Sequence, residues 1–379
     1  MKTQFYYACG KTKSELRALL RPILKGIIYS SLYKLDQHFY LVLEFSPSFS
    51  RSMPGILPCQ KTKIPTTPLE LLLNWGIAEL ENNLEYIQYE YASKSSVTGF
   101  SLTFNNSIKI ERLFASLTET MLIINHTPDS FSEQGTLFQK PEKIFAQVEN
   151  AIKNDVNIID IGAESTRPDA PQISHQEEVS RLTPVIEQLQ QLRINKQIKL
   201  SLDSYKPETI LYFLDKIDII NDVSGNLPEY LLRAIAKTGK NYICMHSLTI
   251  PANKNINLDI NLDPISIIKI WASQKAEYLL SLGFNPNQII IDTGIGFNKL
   301  PVQSWYLLRN ISKLQVIGIP LLIGHSRKSF MNNITNLPNN QRDLETALIT
   351  EKLSEQMVDY VRVHSIEPAD RIRKINSLL

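Results

Sequence analysis

The stretch MLIINHTPDSFS, residues 121–132, decides how the rest of this 379-residue chain is interpreted. It opens with the apolar run from Met121 to Ile124, and Asn125 and a polar turn around Pro128 follow. A short apolar run that ends at turn-forming residues is typical of a buried strand leading into a loop. The sequence therefore predicts a strand whose carboxyl end carries polar side chains.

The same pattern recurs along the chain, with each apolar strand ending in Asp, Asn, His, Arg or Gly before a segment of helical periodicity. Eight such units over about 260 residues predict an α/β fold, a (β/α)8 TIM barrel. A doubly wound sheet also alternates, but its usual G-x-G-x-x-G turn is missing here. The predicted strands are 121–125, 158–162, 199–203, 217–222, 241–246, 289–292, 320–324 and 360–364. The predicted helices are 141–154, 175–194, 206–215, 228–238, 264–282, 301–313, 342–357 and 367–378.

The first part of the chain lacks this alternation, and we expect a small α+β domain at 1–117 ahead of a barrel domain at 118–379. Five prolines between residues 47 and 68 predict a long loop. No constellation of reactive residues is visible in this part. The predicted helices are 13–28, 68–81 and 110–117, and the predicted strands are 39–45, 85–91 and 99–104.

The composition excludes several classes of function. Forty Lys and Arg against 38 Asp and Glu give a formal net charge of +2, which predicts neither nucleic acid nor a membrane as a partner. Cys9, Cys59 and Cys244 lack the spacing of a zinc site or a disulfide framework. No stretch approaches the roughly 18 apolar residues of a membrane span, and no signal-peptide core is visible. We therefore expect a soluble, cytoplasmic protein.

Polar residues at the predicted strand ends would converge at one face of the barrel, where this fold places its active sites. Asp203, Asn221 and Asp292 come from three different strands. A carboxylate accepts two hydrogen bonds in one plane, which suits the edge of a flat ring rich in N–H donors. One such Asp alone could simply cap the next helix. Three from three strands favour a ring-binding pocket.

The segment GHSRKSF, residues 324–330, predicts an anion site. It places exposed backbone N–H groups and the cations Arg327 and Lys328 where this fold commonly holds phosphate. Arg362 and His364 alternate on the last strand, so both would point into the barrel mouth beside this loop. A surface loop could also hold two cations, but the Arg-x-His pair favours a phosphate or diphosphate ligand.

Eight motifs, in this order, resemble those of the dihydropteroate synthases. They are NHTPDSFS (125–132), DIGAESTRP (160–168), LDS (202–204), INDVSG (220–225), MHS (245–247), DTGIGF (292–297), GHSRKS (324–329) and RVH (362–364). The resemblance covers the barrel and does not reach the first domain. It implies a transferase that joins p-aminobenzoate to (7,8-dihydropterin-6-yl)methyl diphosphate, releasing pyrophosphate with Mg²⁺ and making 7,8-dihydropteroate for folate biosynthesis.

The resemblance also implies roles for residues at the matching motif positions. The catalytic residues would be Asp203, Lys328, Arg362 and Asp129, the last in a first loop that closes over the site. The pterin pocket would add Asn221, Asp292 and Met245. The diphosphate would contact Arg167, Arg362 and His364, with Mg²⁺ at Asn125. The p-aminobenzoate pocket, where sulfonamides also bind, would hold Thr166, Pro168, Phe297 and Ser329.

The chain departs from the family pattern beside these residues, at His126, Ala163, Asp169, Thr293, His325 and Ser365. Asp169 adds a negative charge to the loop after the second strand, so we expect it to weaken binding of p-aminobenzoate or sulfonamides. His325 precedes the Ser of the SRKS motif.

Two other functions compete with the synthase. A pterin-dependent methyltransferase shares the barrel and the Asp/Asn pocket but needs no diphosphate loop. A non-catalytic pterin-binding scaffold would have lost Asn125, Lys328 or Arg362, and all three are present. For residues 1–117 the hypothesis is a diverged folate-pathway partner, a pyrophosphokinase or an aldolase. The resemblance also implies a homodimer formed through barrel helices.

Overall fold

The computed structural model divides the chain into two compact units, Met1–Leu117 with Arg373–Leu379 and Thr118–Ile372. In the first unit the structure describes seven strands. From Thr118 onward it describes residues 118–125, 141–154, 156, 158–165, 171–193, 198–253, 255–317, 319–356 and 358–378.

From Glu119 onward the chain forms a closed barrel of eight strands, and a helix follows each of them. The strands are β1 Glu119–Asn125, β2 Ile158–Gly162, β3 Lys199–Asp203, β4 Ile219–Asp222, β5 Asn241–Met245, β6 Ile289–Asp292, β7 Leu321–Ile323 and β8 Tyr360–Val363. The helices are α1 Pro141–Lys153, α2 His175–Arg193, α3 Pro207–Phe213, α4 Glu229–Thr238, α5 Pro264–Ser281, α6 Pro301–Arg309, α7 Asp343–Glu355 and α8 Glu367–Leu378. All neighbouring strands are parallel, and β8 pairs with β1 to close the barrel. The predicted (β/α)8 barrel is confirmed.

Local sequence fixes several element ends. Asp263 caps α5 by accepting hydrogen bonds from the backbone N–H groups of Ile265 and Ser266, and Pro264 occupies the first turn. Gly239 ends α4 in the left-handed conformation, with φ of 74°.

Among the helices that the structure describes, none has the length and apolar composition of a membrane span.

The barrel has an apolar floor and a polar mouth. The floor is formed by inward-facing apolar side chains that precede the last residues of the strands. Tyr360 packs against these floor residues, which are Met121, Ile158, Ile219, Ile243, Ile290 and Leu322. A second, larger core lies between the strands and the helices. Because both strand faces are buried, the strands read as continuous apolar runs.

The strand register turns several polar residues towards the barrel interior, at the carboxyl ends of their strands. Asp203 on β3 lies opposite Asn221 on β4, and Met245 on β5 lies opposite Asp292 on β6. Directly opposite residues point to the same face of a sheet, and residues two apart share that face. The residues above the apolar floor therefore meet inside the barrel mouth.

The described strands of the first unit form an antiparallel sheet. Its order is Ile56–Pro58, Gln4–Gly10, His38–Phe45, Ile27–Leu35, Ile108–Leu113, Gly99–Phe104 and Ile87–Glu90. The predicted strands 39–45, 85–91 and 99–104 correspond to three of these.

The helix predicted at 110–117 is wrong where the structure describes it, because Ile108–Leu113 is a strand paired antiparallel with Gly99–Phe104. Its sequence IKIERL alternates apolar and charged residues at first, which is the period of a strand. The helix predicted at 13–28 overlaps the strand Ile27–Leu35, and its earlier residues lie outside the described part. The helix predicted at 68–81 also lies outside it.

The barrel floor yields a stability prediction. Ile243 is fully buried, whereas Ile270 on α5 is 60% exposed. Ile243→Ala should lower the free energy of unfolding by about 2–5 kcal/mol, since it removes buried methyl groups and leaves a cavity. Ile270→Ala should change it by less than about 0.5 kcal/mol. Urea unfolding of both variants measures the difference, and equal effects would show that the floor does not carry the fold.

Candidate active site

A buried guanidinium lies at the centre of the barrel mouth. Arg362 on β8 donates from Nε to Asp160 Oδ2 on β2 at 2.6 Å, and from Nη2 to Asp203 Oδ2 on β3. The Asp160 side chain is fully buried, and the side chains of Arg362 and Asp203 are each less than one fifth exposed. Buried charges are costly unless they are paired, so this cluster ties three strands together.

Asp160 is a site residue that the sequence analysis missed. Its two carboxylate oxygens also accept from Asn221 Nδ2, at 3.3 and 3.2 Å. Its position in the sequence could have identified it. Asp160 lies two residues before Gly162 on a strand of buried isoleucines, and residues two apart share one face of a strand. Asn221 Oδ1 is buried without a hydrogen-bond partner. It is therefore an acceptor that a bound ligand can satisfy.

The ionisation of Asp203 follows from its surroundings. Burial raises the pKa of Asp203 to about 7, the neighbouring Asp160 carboxylate adds to this, and Arg362 opposes it. Two carboxylates share one guanidinium here, and like charges at close range favour a proton on one of them. Asp203 can therefore exchange a proton near neutral pH.

Asp292 and Lys328 form the opposite side of the mouth. Asp292 Oδ1 accepts from the backbone N–H of Gly294 at 2.8 Å. Burial raises the pKa of Asp292, and the Lys328 ammonium opposes that shift. Lys328 Nζ donates to the carbonyl of Ile295 and lies 4.5 Å from the Phe297 ring centroid. Burial lowers the pKa of Lys328 to about 8, so the ammonium loses its proton more readily than an exposed lysine.

The turn after β6 requires glycine. Gly294 has φ of +62°, and a Cβ there would lie 2.0 Å from the carbonyl oxygen of His246. The preceding Thr293, one of the departures from the family pattern, keeps its Oγ1 buried without a partner. The backbone immediately after β5 thus packs directly on this turn.

Lys299 and His246 form a buried pair that the sequence analysis also missed. Lys299 Nζ lies 3.1 Å from His246 Nδ1 and donates to the carbonyl of Phe297 at 2.9 Å. Burial lowers the pKa of Lys299 to about 7 and that of His246 to about 3. The neighbouring Met245, a predicted pterin-pocket residue, is only 2% exposed.

The third part of the mouth joins β1 and β8. Asn125 Nδ2 lies 3.5 Å from His364 Nε2, and His364 Nδ1 lies 3.0 Å from Ser326 Oγ. No group of three His, Cys, Asp or Glu within the described residues could hold a metal ion. At phosphate sites, however, Mg²⁺ commonly binds one or two carboxylates, substrate phosphates and water, and carbonyl oxygens also suit it. The Asn125 amide oxygen fits that donor set.

The predicted site residues are only partly brought together. Phe297 lies in the mouth beside Lys328, while Ser329 is exposed at the start of a short 3-10 helix, Ser329–Asn333. The predicted contacts Thr166, Arg167, Pro168 and Asp129 lie outside the described residues, as do the departures His126 and Asp169.

Arg327, a predicted cation of the anion site, has a carboxylate partner in the structure. Its guanidinium binds Asp343 with two hydrogen bonds of 2.6 and 2.8 Å. This bidentate bond uses two of the five N–H donors of the guanidinium. No local pattern predicted this ion pair, because Asp343 lies 16 positions away at the start of α7.

The buried Lys299 predicts a pH dependence of stability. Its pKa falls from 10.5 to about 7 on folding, so below about pH 7 the folded state bears the full cost of a buried charge. Between the folded and unfolded pKa values of Lys299, the unfolded chain binds more protons than the folded protein. The free energy of unfolding therefore rises with pH, by at most roughly 1.4 kcal/mol per pH unit. Urea unfolding near pH 7 and near pH 9 should show this gain in the wild type relative to Lys299→Met. A constant difference between the two proteins would contradict the depressed pKa.

Comparisons with known proteins agree with this geometry. The family described as pterin binding enzymes matches residues 121–364. The chain is 36% identical over 265 residues to a dihydropteroate synthase from Synechocystis sp., covering 69% of this chain and 90% of that protein. It is 34% identical over 267 residues to a folate synthesis bifunctional protein from Chlamydia muridarum, covering 68% of this chain. The alignment spans only 59% of the Chlamydia protein's length.

Solved structures resemble the same part of the chain. The crystal structure of dihydropteroate synthase from Anaplasma phagocytophilum with bound 6-hydroxymethylpterin-monophosphate has a TM-score of 0.61 and 29% sequence identity. It covers 69% of this chain and 98% of the Anaplasma chain. This structural similarity and the family match over residues 121–364 confirm the resemblance to the dihydropteroate synthases that the motifs indicated. The chain belongs to the family of pterin binding enzymes that includes the dihydropteroate synthases.

Proposed function

We propose that the chain is a dihydropteroate synthase, which condenses (7,8-dihydropterin-6-yl)methyl diphosphate with p-aminobenzoate to give 7,8-dihydropteroate and pyrophosphate. The observation that carries this proposal is the meeting of Asp203, Asn221, Asp292 and Lys328 at the mouth of one barrel. Arg362 lies near the end of β8, and His364 is the residue directly after that strand. Family membership, and relatives bearing that name, support the same function.

The polar layer suits the edge of a pterin ring. A pterin presents an amino group, a ring N–H and a carbonyl along one edge. The carboxylates of Asp203 and Asp292 can accept from the N–H groups, and the unpartnered Asn221 Oδ1 offers a third acceptor. Lys328 Nζ can donate to ring acceptors from the opposite side. Met245 contributes an apolar surface next to the ring.

The reaction needs no protein nucleophile. The C–O bond between the pterin methylene and the diphosphate breaks, and the electron-rich ring stabilises the positive charge left on carbon. The amine nitrogen of p-aminobenzoate then forms the new C–N bond and releases a proton. Arg362 and His364 stabilise the charge on the departing diphosphate, as preorganised donors do elsewhere. A closed site excludes the water that would capture the cation.

Mg²⁺ is the proposed cofactor, and Asn125 is the residue that would contact it. When bound, the ion neutralises negative charge on the leaving diphosphate. Asn125 holds its amide nitrogen towards His364, which leaves its carbonyl oxygen for the cation. The ion would then be held mainly by the substrate.

The remaining assignments extend the family resemblance. Phe297, Thr166, Pro168 and Ser329 would contact p-aminobenzoate, and sulfonamides would compete there. Arg167 would contact the diphosphate, Asp129 would close the site, and Asp169 would weaken anion binding. The Phe297 ring next to the Lys328 ammonium supports an aromatic wall near the pterin end.

The proposal extends to organisation and location. Residues 1–117 and 118–379 would be separate domains, the first a diverged folate-pathway partner, which the bifunctional relative supports. The protein would be cytoplasmic and would form a homodimer through barrel helices. Exposed apolar side chains on α6 and α7 support the dimer, at Val302, Tyr306, Leu344 and Leu348.

Pyrophosphate release by the purified full-length chain tests the function. With Mg²⁺ and the pterin diphosphate, release should require p-aminobenzoate, fall on metal chelation and be inhibited by a sulfonamide. Lys328→Met should lower turnover by about 100-fold, in the range seen when one preorganised donor is removed. Lys352→Met is the matched control, because that side chain is 73% exposed on α7. Absence of p-aminobenzoate-dependent release would contradict the proposal.

A further inference from the structure

Three residues of the loop between β7 and α7 are held by α7 and by Arg342, the residue immediately before that helix. His325 Nε2 lies 3.1 Å from both the carbonyl oxygen of Thr346 and Oγ1 of Thr350. The backbone N–H of Arg327 donates to Thr346 Oγ1 at 3.1 Å. The carbonyl of Lys328 is held by Arg342. These contacts lie on the side of α7 that faces the barrel.

Arg342, immediately before α7, makes the contact closest to the reacting groups. Its guanidinium donates from Nη1 to the Lys328 carbonyl at 3.0 Å. It also donates from Nε and Nη2 to the Leu337 carbonyl, at 2.9 and 2.7 Å. The side chain is 5% exposed. Arg342 therefore joins the two ends of the segment 328–337, and every contact described for its guanidinium is to a backbone carbonyl.

Arg327 and Asp343 strengthen the same arrangement. Arg327 adopts φ of +59°, a conformation that L residues rarely occupy. Its bidentate bond to Asp343 holds the guanidinium against the first turn of α7. The side chain of the next residue, Lys328, reaches instead to the carbonyl of Ile295, after β6.

The position of the Lys328 backbone decides what its ammonium can reach. The side chain must cross from β7 to the β6 loop, where Nζ meets the Ile295 carbonyl and the Asp292 carboxylate lies nearby. A lysine ammonium is a point charge on a flexible stem, so it depends on its surroundings for orientation. Small displacements of a positioned group cost large factors in rate.

We infer that Arg342 is a positioning residue that acts on the bound pterin through Lys328, with Asp343 assisting through Arg327. This inference deepens the proposed function and rests on it for the identity of the substrate. Arg342 itself contacts neither Asp292 nor Ile295 among its described bonds. Its effect should therefore disappear when Lys328 is absent.

A double-mutant cycle on binding of 6-hydroxymethylpterin monophosphate, measured by calorimetry, tests this. Arg342→Lys should weaken binding about tenfold in the wild-type background and less than twofold in the Lys328→Met background, since residues that act through one another are not additive. Asp343→Ser should weaken binding about threefold, with the same dependence on Lys328. Lys352→Gln, on the exposed part of α7, is the control and should leave binding unchanged.

Loss of stability and loss of pterin binding are measured separately for each variant. Thermal unfolding of each variant identifies general destabilisation, and Asp343→Ser tests the inference if the buried Arg342 does not tolerate replacement. Equal losses with and without Lys328, or no loss, would overturn the inference. If the cycle shows coupling but the wild type releases no pyrophosphate, the positioning role stands and the proposed function fails.

Discussion

The rest of the barrel mouth depends on the ion cluster formed by Arg362, Asp160 and Asp203. Its three members come from β8, β2 and β3, and they satisfy one another only when the barrel closes in the observed register. Removing one partner of a buried ion pair typically costs about 3–5 kcal/mol, because the other charge is left uncompensated. Closure of the barrel and assembly of the site are therefore the same event.

The cluster also prepares the site chemically. Asp160 is used twice, by Arg362 and by Asn221, so the Asn221 amide nitrogen is held and its oxygen remains available. On the far side, Lys328 is oriented by a loop that α7 holds in place. Groups fixed before the substrate arrives need little reorganisation during the reaction. The barrel thus supplies positioned donors and acceptors around its mouth.

The sequence predicted the barrel and most strand ends because apolar runs ending in polar residues leave few alternatives. It missed Asp160, Lys299 and His246, since their importance lies in contacts between distant elements that no local pattern records. It gave no sign that Arg327 binds Asp343, because Asp343 belongs to the next helix. The strand Ile108–Leu113 was taken for the start of a helix because six residues of mixed apolar and charged type fit both periods.

The central claim is that the polar layer at the barrel mouth recognises a pterin. A crystal structure of the full-length chain with 6-hydroxymethylpterin monophosphate tests it most directly. The account predicts the ring within hydrogen-bond distance of Asn221 Oδ1, Asp292 and Lys328 Nζ, with the phosphate towards Arg362 and His364. A ligand bound outside the mouth, or a ring that leaves Asn221 Oδ1 without a partner, would contradict it.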